Sequence, residues 1–232
     1  MSNNRNLGTL ANRLDEGSTG DVLTKQADGS AQFAAASGGP NIQTFTSSGT
    51  WNKPSSGTLC IIHLIGGGGG GGRLTSGFGG NGAPATGTYK AILMSNMPSS
   101  ASVTIGAGGS GSTNDQVVGG TGGKTSIGTI FTSVGAAGGV SYNGTTIVYP
   151  TTPSLTSTEK ANNSLNLIYG GEEGAGGSGG NGGSSVSNGS VGLYGTGGNG
   201  DGGNATGLAS GGAGGLSAGG AGSSGFLSIV VL

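Results

Sequence analysis

Short apolar runs separated by turn-forming residues dominate the first half of the chain. The longest of them, residues 58–65 (TLCIIHLI), is apolar at both alternations, which predicts a strand in the middle of a sheet that is covered on both faces. Residues 226–232 (FLSIVVL) have the same character and are expected to return to that sheet. The spacing of the runs predicts a β-sandwich. Its other strands are expected at residues 43–46, 88–94, 102–105 and 127–134.

The N-terminal residues show a different pattern, a helical period followed by a turn. Apolar residues between positions 7 and 14 recur every three or four residues, and Gly17 follows them, which suits a short capped helix. Residues 21–24 and 31–34 flank a turn-forming stretch and are predicted to pair as a hairpin. Because an isolated hairpin is marginal in water, residues 1–40 are predicted to be a separate attachment and oligomerisation segment. Its candidate contact residues are Leu7, Leu10, Leu14, Val22 and Leu23.

Glycine supplies 59 of the 232 residues, so no single large apolar core is available. From residue 171 to residue 183, one glycine register repeats every three residues. A left-handed helix of the polyproline II type also has three residues per turn and no internal hydrogen bonds, so bare helices of this kind can approach and bond to each other. The sequence therefore predicts an all-β domain over residues 41–232, in which a glycine-rich β-sandwich is combined with packed polyglycine II helices.

Charge and apolar length exclude several classes of partner. The 8 Lys and Arg residues against 9 Asp and Glu residues give a net charge of −1, so there is no electrostatic reason to expect nucleic acid. No apolar run approaches the roughly 20 residues that a membrane-spanning helix requires. We therefore expect neither nucleic-acid binding nor membrane insertion.

Residue types that perform catalysis or bind metals are sparse. Cys60 and His63 are the single cysteine and the single histidine, and alternation along a strand places them on opposite faces. A phosphate-binding loop at Lys124 is not supported, because Val118 stands where the motif requires glycine. The acidic pair at residues 172–173 diverges in an extended backbone and is interpreted as a solvated turn. The sequence predicts no catalytic residue, no cofactor and no metal site.

Places where larger side chains interrupt the glycine pattern are the candidate binding loops. Residues 140–169 combine tyrosine with Ser, Asn and Thr, a composition that gives rigid contact area beside adaptable hydrogen bonds. Shorter interruptions occur at residues 73–78 and 184–194. The same aromatic side chains would also suit the edge of the sandwich or a seam between three subunits, and the sequence leaves both interpretations open. The candidate receptor-binding residues are Arg73, Phe78, Tyr142, Tyr149, Tyr169 and Tyr194.

Several strings occur in an order that resembles a known family. They are TFTSSGTWNKP, TLCIIHLIGGGGGGG, SVTIGAGGSG, GGTGGKTSIGTIFTSVGAAGG and the closing GFLSIVVL. Together they resemble the glycine-rich domain of bacteriophage tail-fibre and receptor-binding proteins. The N-terminal LGTLANRLDEGSTGDVLTKQADGSAQF resembles the junction segments of phage fibres, and the glycine triplets are similar to those of the distal adhesins of T-even-like phages.

The resemblance implies a virion-mounted adhesin of the tail fibre that is synthesised in the cytoplasm of the host bacterium. It implies a homotrimer that joins other tail proteins through its N-terminal segment and binds a bacterial surface glycan or outer-membrane protein. A second interpretation is a purely structural fibre spacer or an antifreeze-like polyglycine protein. A depolymerase that cleaves surface polysaccharide is a third, weakened by the lack of clustered carboxylates.

Overall fold

We describe the protein from a computed structural model of the chain. The structure describes residues 21–25, 31–35, 39–76, 79–85, 87–142, 145–165, 169–170, 194–196 and 202–232, with the backbone alone at 21–25, 31–35, 169–170 and 194–196. These residues form several antiparallel sheets and one short α-helix, so the prediction of a mostly β protein is confirmed. The predicted N-terminal helix and the glycine triplets at 171–183 lie outside the described residues.

The elements of the described residues follow one another closely along the chain. In order, the strands are β1 (Asp21–Lys25), β2 (Ala31–Ala35), β3 (Asn41–Phe45), β4 (Gly49–Asn52), β5 (Leu59–Ile65), β6 (Gly87–Leu93), β7 (Ser100–Thr104), β8 (Thr125–Ile127), β9 (Phe131–Ser133), β10 (Ser141–Tyr142), β11 (Ile147–Val148), β12 (Tyr169–Gly170), β13 (Tyr194–Thr196), β14 (Thr206–Leu208) and β15 (Phe226–Val231). The helix α1 spans Ser157–Ser164, and a 3-10 turn spans Met94–Asn96.

The largest sheet has five strands in the order β12, β6, β5, β15 and β3, and all neighbours are antiparallel. β5 lies at its centre, between β6 and β15. The C-terminal strand β15 therefore lies inside the sheet, where Val230 pairs with both Ile61 and Ile42. β1 pairs with β2, as the turn-forming residue types at positions 27–30 of the sequence predict.

The second sheet has the order β4, β7, β8 and β9. The single strand predicted at residues 127–134 is wrong, because β8 and β9 are two strands of a tight hairpin. Gly128 between them has a φ of 49°, a left-handed conformation that glycine adopts without strain, and the Ile130 amide donates to the Ile127 carbonyl over 3.0 Å. The chain therefore reverses direction at Gly128, although the apolar pattern of residues 127–134 continues through this position as in a single strand.

One hydrophobic core receives side chains from both of these sheets. Trp51 of β4 and Phe131 of β9 are buried in it together with Ile62, Leu64 and Ile229 of the five-stranded sheet. Along β15 the residues that face this core, such as Leu227 and Ile229, are fully buried, whereas the alternate residues are half-buried. The inner face of the five-stranded sheet is thus covered by the four-stranded sheet.

Residues 66–72, seven consecutive glycines, leave the end of β5 and are surrounded by other glycine-rich segments. Each backbone N–H from residue 67 to residue 72 donates to one of three segments in strict rotation, over 2.8 to 2.9 Å. The acceptors lie in residues 80–83, 120–123 and 220–223. Within each segment the residue number of the acceptor falls as the residue number of the donor rises, so these three segments run antiparallel to the central run.

The carbonyl groups of the same residues are satisfied by three further segments. They accept N–H groups in residues 109–112, 136–139 and 212–215, again in rotation and over 2.7 to 3.1 Å, and these segments run parallel to the central run. None of the seven segments lies within a strand or helix. Residues 66–72 and their six neighbours are called the glycine bundle below. Every polar group of the backbone from residue 67 to residue 72 is therefore bonded to a neighbouring segment of the chain.

The central run has no room for side chains. A Cβ atom on Gly66, Gly69 or Gly72 would overlap a carbonyl oxygen within residues 134–140. The remaining glycines of the run meet carbonyl oxygens of residues 107–110 or 210–213 in the same way. The obstacles are backbone atoms that are themselves hydrogen-bonded, so the neighbours cannot move aside. The uninterrupted glycine sequence is a packing requirement.

The glycine bundle continues directly from the two larger sheets at one end, called its base. Residue 66 follows β5, β8 begins after residue 124, and residue 134 follows β9. At the opposite end, residues 73–76, 113–118, 141–142, 145–149 and 216–218 follow or connect the segments. These stretches are called the bundle tip.

The helix α1 lies in the region 140–169, which the sequence analysis treats as a loop insertion. Its N-cap Thr156 accepts a hydrogen bond from the Glu159 amide, and the Glu159 side chain accepts one from the Thr156 amide, which completes a capping box. Burial alone would raise the pKa of the Glu159 carboxyl, but its hydrogen bonds with Lys124 and Thr156 hold that pKa below its usual value. A segment with the composition of a loop therefore contains a capped helix, and the Glu159 carboxylate at its start is ionised.

Candidate functional site

Arg73 joins four stretches of chain where the central run of the glycine bundle ends. Its amide donates to the Val117 carbonyl over 3.1 Å, and its carbonyl accepts the Ser141 hydroxyl over 2.8 Å. The guanidinium donates through Nε to the Leu216 carbonyl over 3.1 Å and through Nη1 to the Thr113 carbonyl. Because these donors point at backbone carbonyls, Arg73 holds the loops of the bundle tip together.

A carboxylate anchors the first of these loops to the second. Asp115 accepts the Thr75 amide over 2.7 Å and the Thr75 hydroxyl over 2.6 Å. Those two hydrogen bonds hold the pKa of the Asp115 carboxyl below its usual value, and the positive charge of Arg73 contributes to the shift. Asp115 is therefore an anion at neutral pH, and its neighbour Gln116 adopts a left-handed φ of 62°. The turn at residues 113–118 is therefore held in two places, at Asp115 by Thr75 and at Val117 by the Arg73 amide.

Apolar side chains reach the solvent around this anchored centre. The exposed fractions are 42% for Val117, 37% for Tyr142, 42% for Ile147 and 68% for Tyr149. Val117 and Ser141 each bond to Arg73, which brings Val117 and Tyr142 to the same end of the bundle. Tyr142 pairs directly with Ile147 across β10 and β11, so their side chains share one face of that hairpin. These four residues form the tip apolar surface.

The structure brings some of the predicted receptor-binding residues together and separates others. Arg73 and Tyr142 meet at the bundle tip through Ser141, and Tyr149 is an exposed residue close after β11. Tyr169 instead belongs to β12, where its backbone pairs with Ala91 in the five-stranded sheet. Tyr194 belongs to β13 and pairs with Leu208 of β14, while Phe78 lies outside the described residues.

The predicted attachment residues are covered only in part. Val22 and Leu23 lie in β1, of which the structure describes the backbone, and Leu7, Leu10 and Leu14 lie outside the described residues. β1 pairs with β2 along its whole length. The hairpin of the attachment segment is therefore described, but its side-chain contacts are not.

Three residues of the bundle tip escape the sequence analysis: Asp115, Val117 and Ile147. Residues 113–118 interrupt the glycine pattern just as residues 73–78 do, and the same signal would have selected them. They lack an aromatic residue, unlike the stretches that contain Phe78, Tyr142 and Tyr194. Ile147 is selected only by its register with Tyr142, which the sequence does not reveal.

The residues with potential for chemistry lie elsewhere and serve the fold. Cys60 is fully buried, and burial raises the pKa of its thiol to about 11. His63 stacks on Tyr89 with ring centroids 4.0 Å apart, and burial lowers the pKa of its imidazole. Lys124 pairs with the carboxylate of Glu159 over 2.6 Å. Within the described ranges, no group of three or more His, Cys, Asp or Glu residues could hold a metal ion.

Comparison with known proteins adds no homologue to this description. No protein-family model matches the chain, and no curated protein sequence matches it. In the part of the chain that the structure describes, no helix has the length and apolarity that crossing a bilayer demands.

Proposed function

We propose that this protein is a bacteriophage tail-fibre or adhesin subunit that attaches the virion to a bacterial surface receptor, a glycan or an outer-membrane protein. The observation that carries the proposal is the gathering of the tip apolar surface at one end of the glycine bundle. Apolar side chains that are exposed together at one end of a protein mark a binding surface. The receptor contacts are assigned to Val117, Tyr142, Ile147 and Tyr149, and no catalytic step is assigned.

The proposed scaffold is a β-sandwich continued by packed polyglycine II helices. Support comes from the threefold rotation of hydrogen bonds around residues 66–72 and from the carbonyl oxygens that exclude every Cβ there. With a rise of about 3.1 Å per residue, seven such residues hold the tip roughly 20 Å from the sheets. Because backbone bonds alone maintain this spacer, the loops at its end can vary in sequence without loss of the scaffold.

The proposal extends to the virion through the resemblance to phage fibre proteins. Residues 1–40 are the proposed attachment segment for other tail proteins, and three copies are the proposed assembly. In this arrangement the bundle tip points away from the fibre, so the tip apolar surface meets the host cell first. A purely structural spacer remains the alternative, and it requires no receptor contact.

Decoration of whole bacteria by labelled protein tests the receptor proposal. Wild-type protein is expected to bind at least one strain in the host range, and the double substitution Tyr142→Ala with Tyr149→Ala is expected to weaken that binding by roughly tenfold or more. Leu165→Ala is the control, because Leu165 is an apolar residue that is 61% exposed and follows α1, outside the bundle tip. Binding that is equal in all three proteins, or absent from every strain, would reject the receptor contact and favour the spacer.

A further inference from the structure

The five-stranded sheet carries a second apolar surface on the face that points away from the core. Val230 of β15 pairs with Ile42 on one side and with Ile61 on the other, and Ile61 pairs with Ala91. Directly paired residues of a sheet share one face, so these four residues form a row across four strands. Leu59 and Leu93 pair beside this row. These six residues are called the outer apolar face.

The outer apolar face is partly open to solvent in the single chain. Ile42 is 62% exposed and Leu93 is 48% exposed, whereas Leu59, Ile61 and Val230 are half-buried and Ala91 is buried. The core-facing residues of β5 and β15 are at most 3% exposed. The sequence of β5 predicts a strand covered on both faces. Its outward residues His63 and Ile65 are buried at the end beside the glycine bundle, whereas Leu59 and Ile61 at the other end stay half-buried. An apolar strand face of this kind indicates a partner surface.

Charge on this face restricts the kind of partner. At its outward positions β3, β5, β6 and β15 carry no Asp, Glu, Lys or Arg residue. The one charged residue of these strands, Lys90, points inward, where its ammonium donates to the Ile130 and Asn162 carbonyls. The cores of protein interfaces are depleted of charge in the same way. A partner that packs here must also present an uncharged face, because a charge buried against these apolar side chains would have no partner. The outer apolar face of a second copy of the chain is such a face.

The position of the face also favours a second copy. β3 is the edge strand beside it, and five residues connect β3 to the end of β2 in the attachment segment. A chain of that length reaches about 20 Å at most. Copies that are held together through residues 1–40 therefore bring their outer apolar faces within reach of one another, while their bundle tips stay free. This step rests on the proposed assembly of several copies.

We propose that a second copy of this chain packs against the outer apolar face. The interface is centred on Ile42, Ile61 and Val230. It lies on the sheets and not at the bundle tip, so self-association and receptor binding use separate surfaces. Burial of the half-exposed side chains of both copies provides the stabilisation.

Cysteine cross-linking of the full chain tests this interface. The native Cys60 is buried and does not compete for a maleimide, so an introduced surface cysteine is the reactive thiol. Ile42→Cys is expected to give covalent dimers with a short bismaleimide linker at micromolar protein. Tyr149→Cys, at an exposed position of the bundle tip, is the control and is expected to remain a single chain. The proposal would be overturned if Ile42→Cys formed no cross-linked product, or no more of it than Tyr149→Cys.

The solution mass gives a second and independent measurement. Wild-type protein is expected to self-associate, and Ile42→Lys is expected to weaken the association by roughly tenfold or more, because an unpaired ammonium would enter the interface. A monomeric wild type, or an unchanged association of Ile42→Lys, counts against the inference. A monomer that still decorates bacteria rejects this interface alone, whereas an oligomer that decorates no strain rejects the receptor proposal alone.

Discussion

The side-chain amide of Asn163 is bonded to the backbone of Thr132 in the manner of a neighbouring strand. Asn163 Oδ1 accepts the Thr132 amide and Asn163 Nδ2 donates to the Thr132 carbonyl, each over 2.9 Å. β9 is the last strand of the four-stranded sheet, so these backbone groups have no strand beyond them to pair with. Asn163 lies in α1 and is buried. One residue of the helix therefore closes the edge of the sheet.

Replacement of Asn163 by alanine is expected to destabilise the protein. The change leaves two buried backbone groups of Thr132 without partners, which costs about 2–4 kcal/mol in the free energy of unfolding. Urea denaturation measures this loss. Asn96→Ala, in the exposed part of the 3-10 turn, is the control and is expected to change the free energy by less than about 0.5 kcal/mol. Equal midpoints for the two variants would show that the edge bonds do not stabilise the fold.

Replacement of Gly69 by alanine tests whether the central run tolerates a side chain. The new Cβ would overlap the Ala137 carbonyl oxygen, so we expect a loss of more than about 3 kcal/mol or failure to fold. Gly39→Ala is the matched control, because a Cβ atom at Gly39 meets nothing within 4 Å. Thermal unfolding followed by circular dichroism compares the two. A Gly69→Ala protein as stable as the Gly39→Ala protein would contradict the close packing of the bundle.

Strands are predictable here where apolar side chains carry the pattern. β5 and β15 are apolar at both alternations, which predicts their central position in the five-stranded sheet. The turn between β8 and β9 is not predictable, since Gly128 is one glycine among many and its left-handed conformation leaves no mark in the sequence. For α1, the capping pair Thr156 and Glu159 was a usable signal, but the helix has almost no apolar residues and so lacks a helical period.

The neighbours of the central run cannot be inferred from sequence at all. Gly67 bonds to Gly123 and Gly71 bonds to Gly220, and no side chain distinguishes these glycines from any others. The pairings depend on the sheets, which fix where each segment enters the bundle. The same holds for the tip, where Val117 and Tyr142 lie at the same end of the bundle because Val117 and Ser141 both bond to Arg73. Sequence therefore identifies the tip residues with large side chains, and the fold decides which of them meet.

Replacement of Arg73 by lysine is expected to loosen the bundle tip and leave the bundle intact. The two guanidinium bonds come from different nitrogen atoms, Nε to the Leu216 carbonyl and Nη1 to the Thr113 carbonyl, and the single Nζ of a lysine cannot occupy both positions. We expect amide hydrogen exchange of Leu74 and Gln116 to accelerate by roughly tenfold, equivalent to about 1.4 kcal/mol. The Gly70 amide, bonded within the bundle, is the internal control and is expected to keep its rate. Unchanged rates at Leu74 and Gln116 would show that the loops are held without the guanidinium.

Lys90 is expected to make the stability of the protein depend on pH. Its ammonium is buried, donates to the Ile130 carbonyl over 2.9 Å and to the Asn162 carbonyl over 2.8 Å, and lies 5.7 Å from the centre of the Phe131 ring. Burial lowers the pKa of Lys90 from 10.5 to about 8. Between these two values the unfolded chain binds more protons than the folded chain, so the free energy of unfolding rises with pH.

We expect that rise to be on the order of 1 kcal/mol between pH 8 and pH 9, measured by urea denaturation at each pH. Cys60 acts in the opposite direction as the pH approaches 9, because burial raises its thiol pKa from 9.0 to about 11. Its effect is smaller than that of Lys90 up to pH 9 and grows above it, so the series ends at pH 9. Lys90→Met is expected to abolish the rise, and Lys160→Met, at an exposed position of α1, is expected to retain it. A rise of equal size in Lys90→Met would assign the pH dependence to another group, and a falling stability in the wild type would contradict a lowered pKa at Lys90.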